Sequence, residues 1–454
     1  MAQPLENDTG VTICPKCAAR YKTENLPAGQ KIKCKQCQTV MVVGRAVEIV
    51  DRLLEEAILL GASDVHIEPL ADQLRVRLRI DGVLTHHMDL SKTMQPRILS
   101  RIKLLSDADI AEKRLHQDGR FQLRLFDNDV DIRMSSYVTV NGENIVMRIL
   151  NKAVGIKPLE DLGLPPRLKQ RYIDEALDAA SGVVVITGPT GSGKTTTLYS
   201  SISYCNGPGV KISTAEDPVE YQIDGIMQCA INDEIGLTFP ETIKALVRQD
   251  PDIVVLGEVR DAESAQAAIM IALTGHQVFT TFHTEDSVGA MLRLIEMGVE
   301  PYLITSTVCC VVGQRLVRRL CPHCLRDCRP KRRSVDMLGI DHGWLVGRRF
   351  REGAGCDQCN QTGFRGRLGL YEALFPTDEL RQAVLDRKPS YAIRNQALSG
   401  GDFFTLKEAG IVRALMGETT LEEVWSNAPR GGLTRPLTRL FELTGNEDPL
   451  KAAP

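Results

Sequence analysis

One glycine-rich run, Gly188-Pro189-Thr190-Gly191-Ser192-Gly193-Lys194-Thr195, has the residue types and the spacing to hold a triphosphate. It satisfies G-x-x-x-x-G-K-[ST] in full, and the apolar, β-branched residues 183–187 lead straight into it as a buried strand would. Glycines let the backbone turn tightly and aim its N–H groups inward. Lys194 can reach the β- and γ-phosphates, and Thr195, with Thr196 beside it, can hold Mg²⁺ at the N-terminus of the helix that must follow. The chemistry is ATP binding.

Three further groups suit hydrolysis at that site. Residues 253–256 are apolar and end at Gly257-Glu258, a carboxylate delivered at the C-terminal end of a strand. This is the Walker B arrangement, and Glu258 can orient or deprotonate an attacking water. Residues 214–220, with Glu216, Asp217 and Glu220, cluster carboxylates after another strand. Such a cluster beside a triphosphate costs Coulomb energy unless a cation offsets it, which places Glu216 in the Mg²⁺/water shell. His283, in Thr280-Thr-Phe-His-Thr284, ends the next strand and can sense the γ-phosphate.

Cysteines carry a second chemistry. Eight of the 13 form four C-x-x-C pairs: Cys14/Cys17, Cys34/Cys37, Cys321/Cys324 and Cys356/Cys359. In a reducing compartment that spacing reads as metal thiolate, and two pairs complete a tetrahedral Zn²⁺ site. The first two pairs, 16 residues apart, make a zinc ribbon too short to fold on apolar burial alone. The last two are 31 residues apart; Cys328 is a spare thiol and His323 a rival ligand, so spacing does not fix the set. The stretch from Arg315 to Arg333 is strongly basic and reads as a solvated face or as a contact for an acidic partner or anionic lipid.

The elements that must position these groups follow from periodicity. Residues 47–60 repeat apolar side chains at helical spacing, and Leu74, Val76, Leu78 and Ile80 alternate with arginines as a half-buried strand. Further strands and a helix near 95–105 make residues 44–155 an α+β domain. Residues 156–314 alternate strands with helices, the pattern of an α/β core with a parallel sheet covered on both faces. Residues 1–43 form the ribbon, 315–374 the four-cysteine zinc module and 375–425 a helical part. Residues 426–454, rich in Gly, Pro and Asn, read as a flexible tail.

Composition sets the bounds. The 454 residues favour about three domains by length. With 43% hydrophobic and 25% charged residues the chain reads as an ordinary soluble globular protein. A net charge of −3 and few aromatics give no footprint for nucleic acid. No apolar stretch approaches the ~18–20 residues that cross a bilayer, and residues 1–10 are too polar for a signal peptide. The chain therefore reads as cytoplasmic.

The order of motifs, Walker A, TAEDPVEY, LGEVRD, TFHT and QRLVRRLCPHC, preceded by SDVHIEP, RLRIDG, AEKRLHQDGR and DIRMSSY, resembles the type II secretion and type IV pilus assembly ATPases (GspE/PilB class) over residues 47–425. The resemblance implies a RecA-like P-loop core over residues 156–314 and a PAS-like domain over 44–155, in a homohexamer in which the N-terminal domain of one subunit closes over nucleotide held by a RecA-like domain. It makes Arg133 and Arg148 phosphate ligands from that mobile domain, with Arg120, Arg293 and Arg367 as further matches. It implies Mg²⁺, Zn²⁺ and ATP as cofactors, an inner-membrane platform protein as partner, and an indirect, peripheral place at the cytoplasmic face of that membrane. Retraction ATPases of the class lack the four-cysteine module, which favours assembly or secretion. Two departures stand out: His116 replaces a common proline, and a zinc ribbon stands where longer members carry a helical platform-binding domain. The rival reading is a nucleotide-gated zinc-ribbon adaptor with little hydrolysis; Glu216, Glu258 and His283 argue against it.

Overall fold

The structure is a computed structural model. It describes residues 11–13, 19–23, 31–38, 40–42, 46–125, 128–151, 155–430 and 434–451. The chain divides after Gly155 into two compact units.

In the first unit, β1 (Val11–Ile13) pairs antiparallel with β2 (Arg20–Lys22), and β3 (Lys31–Lys33) with β4 (Val40–Val42). Helix α1 (Ala46–Leu59) buries Ile49, Val50, Leu53, Leu54 and Ala57, the one-sided stripe its sequence period requires. Next come β5 (Ala62–Pro69), β6 (Gln73–Ile80), β7 (Val83–Ser91), α2 (Gln95–Leu105), β8 (Gln117–Leu125), β9 (Asn128–Thr139) and β10 (Gly142–Asn151). The six strands form one antiparallel sheet in the order β7-β6-β5-β10-β9-β8. One face, with Leu74, Val76, Leu78, Ile132, Ile145 and Met147, packs into a core with α1 and α2. The other carries the alternate, charged residues, as period-2 geometry dictates. The ring of His116 stacks on Tyr137 with centroids 4.8 Å apart.

The second unit opens with α3 (Pro166–Tyr172), β11 (Gly182–Thr187), α4 (Lys194–Cys205), β12 (Ile212–Glu216), β13 (Met227–Ala230) and α5 (Phe239–Leu246). It continues through β14 (Ile253–Leu256), α6 (Ala262–Leu273), β15 (Gln277–Phe282), α7 (Ser287–Glu296), α8 (Pro301–Thr307) and β16 (Val308–Leu320). The cysteine-rich part holds β17 (Leu325–Cys328), α9 (Arg332–Leu338), β18 (Phe350–Gly353) and β19 (Phe364–Leu374). Helices α10 (Asp378–Leu385), α11 (Ser390–Ser399), α12 (Leu406–Leu415), α13 (Leu421–Asn427) and α14 (Leu437–Thr444) close it.

Seven strands share one sheet in the order β13-β12-β14-β15-β11-β16-β19, parallel except for β19. Strand β11 shows why its sequence is unbroken apolar: Val183 and Val185 enter the core on one face, Val184 and Ile186 the core on the other. Two sequence expectations change here. Residues 315–320 and 364–374 do not belong to a detached cysteine module, since they extend the main sheet as parts of β16 and β19. The reading of 426–454 as a flexible tail is corrected by α14, which buries Leu437, Leu440, Phe441 and Leu443. Its apolar stripe is short and flanked by Gly and Pro, so composition concealed it.

Candidate functional site

Strands β11, β12, β14 and β15 are parallel neighbours, so their C-terminal ends meet at one sheet edge, where α/β sheets bind ligands. Strand β11 there hands over to the phosphate loop. Gly191 and Gly193 hold left-handed φ of 77° and 88° that a side chain would resist. A Cβ on Gly188 would stand 2.5 Å from the Gln314 carbonyl oxygen, so the first glycine is required for clearance. The loop ends at the first residue of α4. Thr195 and Thr196 are exposed in that first turn.

Around Lys194 a continuous polar chain forms. Its Nζ donates to the carbonyls of Gly188 (2.9 Å) and Pro189 (3.1 Å) and stands 3.4 Å from His283 Nδ1. His283 Nε2 lies 3.1 Å from Glu258 Oε1. Arg260 then donates to Glu258 Oε2 (3.0 Å) and to Asp217 Oδ2 (3.4 Å). Phosphate loop, His283, Walker B carboxylate and the acidic 214–220 segment are thus joined by direct contacts. These partners suit an imidazole with its proton on Nε2, donating to Glu258 and accepting from Lys194.

Electrostatics favour that state. Burial pushes Lys194 down to about 8; the Arg315 charge adds to this and Glu258 opposes it. Burial also lowers His283, helped by Lys194 and resisted by Glu258, so the ring stays neutral in the neutral range. Burial works to raise Glu258, but the hydrogen bond and charge of Arg260, with His283 and Lys194, outweigh it and hold the carboxyl below its ordinary value.

Glu216 is placed differently from Glu258. It is buried, and its carboxylate accepts from Tyr199 Oη, Thr214 Oγ1 (2.6 Å) and Gln228 Nε2 (3.1 Å). It anchors its segment from beneath the edge. Arg133 and Arg148 belong to the first unit, where they face each other across β9 and β10 in register, with Arg120 opposite Arg133 on β8. Arg148 donates to Asp64 Oδ1 (3.1 Å). Three arginines abreast on one sheet face repel one another unless anions intervene. Arg293 pairs with Glu296 along α7, and Arg367 stands opposite Arg318 on β19.

The second cysteine set closes into a cluster. Cys321, Cys324, Cys356 and Cys359 bring their sulfurs within 4.8 Å of one another. Three Sγ–Sγ separations are 3.7, 3.8 and 3.9 Å. A tetrahedron with Zn–S bonds of ~2.3 Å has edges of about 3.8 Å, so the donors fit Zn²⁺ without rearrangement. Backbone N–H groups of Cys356 (3.2 Å) and Gly363 (3.3 Å) point at Cys359 Sγ and favour thiolate. The rival donors fall outside: His323 is exposed, and Cys328 packs against an apolar cluster. In the N-terminal set, Cys14 and Cys17 lie outside the described residues. Cys34 is fully buried, 3.1 Å from Tyr21 Oη, and accepts the Gln36 N–H (3.4 Å).

Residues 43–426 match the family described as type II/IV secretion system protein. The chain belongs to that family. It is 44% identical over 379 residues to the type IV pilus assembly ATPase PilB of Thermus thermophilus, covering 84% of this chain and 42% of that one. It is 40% identical over 378 residues to the type II secretion system protein E of Pseudomonas aeruginosa, covering 83% and 74%. The chain thus spans less than half the length of the Thermus relative. In fold it is similar to the Legionella pneumophila ATPase DotB (TM-score 0.59, 22% identity, 84% of this chain and 95% of that one). It is likewise similar to the pilus retraction motor PilT with bound ADP (TM-score 0.54, 22% identity, 84% and 96%). Among the described residues, no helix is long and apolar enough to cross a membrane.

Sequence reasoning misses several residues at this sheet edge. Arg260 stands inside the LGEVRD motif, which by itself gives it no role, although it bridges Glu258 and Asp217. Thr187 Oγ1 lies 2.6 Å from Thr284 Oγ1 and accepts the Thr284 N–H (3.0 Å), tying the end of β11 to the loop after β15. Tyr199, on α4, reads in sequence as no more than a core aromatic. Within the basic stretch, Arg318 pairs with Glu423 (2.5 Å), Arg326 with Glu352 (2.7 Å) and Arg332 with Asp336 (3.8 Å), while Arg315 donates to the Gln314 and Glu285 carbonyls.

Proposed function

We propose that this chain is the ATP-hydrolysing motor subunit of a type II secretion or type IV pilus assembly machine. The observation that carries the reading is the contact chain Lys194–His283–Glu258–Arg260–Asp217 at the sheet edge. In it each residue has one task. The loop N–H groups of 188–194 and Lys194 bind the phosphates. Thr195, and the acidic segment through water, would hold Mg²⁺, which would supply positive charge against that of the phosphates. Glu258, kept ionised by its cationic neighbours, accepts a proton from the attacking water. His283 lies between Lys194 and Glu258 and relays whether the γ-phosphate is present. Glu216, held by three donors, keeps the acidic segment in place.

Arg133 and Arg148 supply the cationic forks that stabilise the transferring phosphoryl group, from the first unit of a neighbouring copy in a homohexamer. Opening and closing of the two units around nucleotide would drive an inner-membrane platform protein from the cytoplasmic face. Cys321, Cys324, Cys356 and Cys359 hold a structural Zn²⁺, and Cys14, Cys17, Cys34 and Cys37 a second one in the N-terminal ribbon. High identity to assembly and secretion proteins, together with the four-cysteine module, favours assembly over retraction.

The test is Lys194→Ala. Hydrolysis should disappear and nucleotide affinity should fall by at least tenfold. Full turnover by that variant would remove the mechanism.

A further inference from the structure

Strand β16 runs beside β11 with Gly313 opposite Thr187, then continues where β11 has given way to the phosphate loop. Its next two residues, Gln314 and Arg315, therefore flank the loop. Gln314 is fully buried and accepts the Thr197 hydroxyl from α4 (2.7 Å). A Cβ on Gly188 would stand 2.5 Å from its carbonyl oxygen, and one on Gly193 2.8 Å from its Nε2. The wall behind the loop is therefore this residue. Arg315 is half-buried and donates twice, to the Gln314 carbonyl (3.1 Å) and across to the Glu285 carbonyl (2.7 Å). Glu285 follows His283 by two positions, in the loop that Asp286 caps into α7.

We infer that Arg315 is a positioning residue for hydrolysis, its guanidinium holding the His283 loop, through the Glu285 carbonyl, against β16, the strand whose Gln314 backs the phosphate loop, so that His283 meets Lys194 and Glu258 together. The inference rests on the reading of Lys194, His283 and Glu258 given above. A fork is suited to this because its donors are fixed in one plane and can span two carbonyls on separate segments, whereas an ammonium offers one point of charge. The same cation also stands near enough to Lys194 to oppose its protonation, while the acidic residues Glu372, Glu285 and Asp286 face Arg315 from β19 and from the loop itself. Position and charge can thus be separated by substitution.

The experiment compares Arg315→Gln, Arg315→Lys and the parent full-length protein, measuring ATP turnover and Mg-ATP affinity from pH 7 to 9.5, with thermal unfolding as a check on folding. Arg315→Gln should lower kcat about tenfold or more with ATP affinity at pH 7 within threefold. It should also move the alkaline loss of affinity to higher pH, because Lys194 has lost a cationic neighbour. Arg315→Lys should restore the parental alkaline limb but not kcat. A kcat loss that merely tracks the folded fraction, an unmoved alkaline limb in Arg315→Gln, or full kcat in Arg315→Lys would overturn the inference. Failure of the underlying reading is separate, since it would show as normal hydrolysis by Lys194→Ala.

Discussion

At the scale of single residues, the account turns on protonation. Glu258 must be ionised and Lys194 charged when ATP binds, with His283 neutral between them. Glu258→Gln should therefore keep Mg-ATP affinity within about threefold while kcat falls by about 10²-fold or more, the usual range for removing a general base. Loss of binding in that variant would mean the carboxylate holds nucleotide and does not act on water. Lys194 gives a pH prediction. Its ordinary value of 10.5 is pushed down to about 8, so the ammonium is intact below pH 8 and is lost from the free site above it. A bound polyanion favours the charged form, so binding above pH 8 must take up a proton. Affinity should weaken as pH rises through 8, by up to about tenfold per unit. Constant affinity from pH 7 to 9.5 would contradict the placement of Lys194. The glycines, Lys194, Glu258 and His283 were legible in sequence because each sits at a fixed offset from a strand. Arg260, Gln314 and Arg315 were not, because each also has a partner on a distant segment, Asp217, Thr197 and Glu285 in turn, and only the sheet order brings these together. Glu216 was legible as important, but its burial beneath the edge was not.

At the scale of elements, a strand's reach matters more than its hydrophobicity. The run 183–187 announced β11, since a strand buried on both faces must be apolar throughout. The second half of β16 did not announce itself, because its arginines and the cysteines after it look like a separate module. Helix α14 was hidden for a related reason, having little more than two turns of apolar spacing between Pro436 and Gly445. Packing decides both cases. Leu440 is fully buried in a cluster with Ile411, Val424 and Phe441, so Leu440→Ala should destabilise the second unit by about 2–5 kcal/mol, read by denaturant unfolding. An unchanged midpoint would return residues 437–444 to the status of a tail. Gly188→Ala should cost about 1–3 kcal/mol and impair ATP binding as well, because the added methyl meets the Gln314 carbonyl.

At the scale of the whole molecule, the fold class was legible in the succession of motifs, and the four-cysteine cluster turned a pattern of spacings into a geometry suited to Zn²⁺. Metal analysis of the purified chain should find two zinc per chain, one for each set of four cysteines; one or none would mean a set is misread. The proposed assembly is a matter of charge. The first unit places Arg120, Arg133 and Arg148 side by side, and the second places a phosphate loop and a carboxylate at a sheet edge. Hydrolysis on this account needs one of each, from different copies. The direct measurement mixes two full-length variants, Glu258→Gln and the double variant Arg133→Ala/Arg148→Ala, each expected to be inactive alone, and follows ATP turnover against mixing ratio. Turnover should reappear in the mixture, peaking near equal amounts, because a subunit with intact Glu258 then meets a neighbour with intact arginines. No recovered activity at any ratio, or full activity of the arginine variant by itself, would contradict the claim that the site is shared between copies.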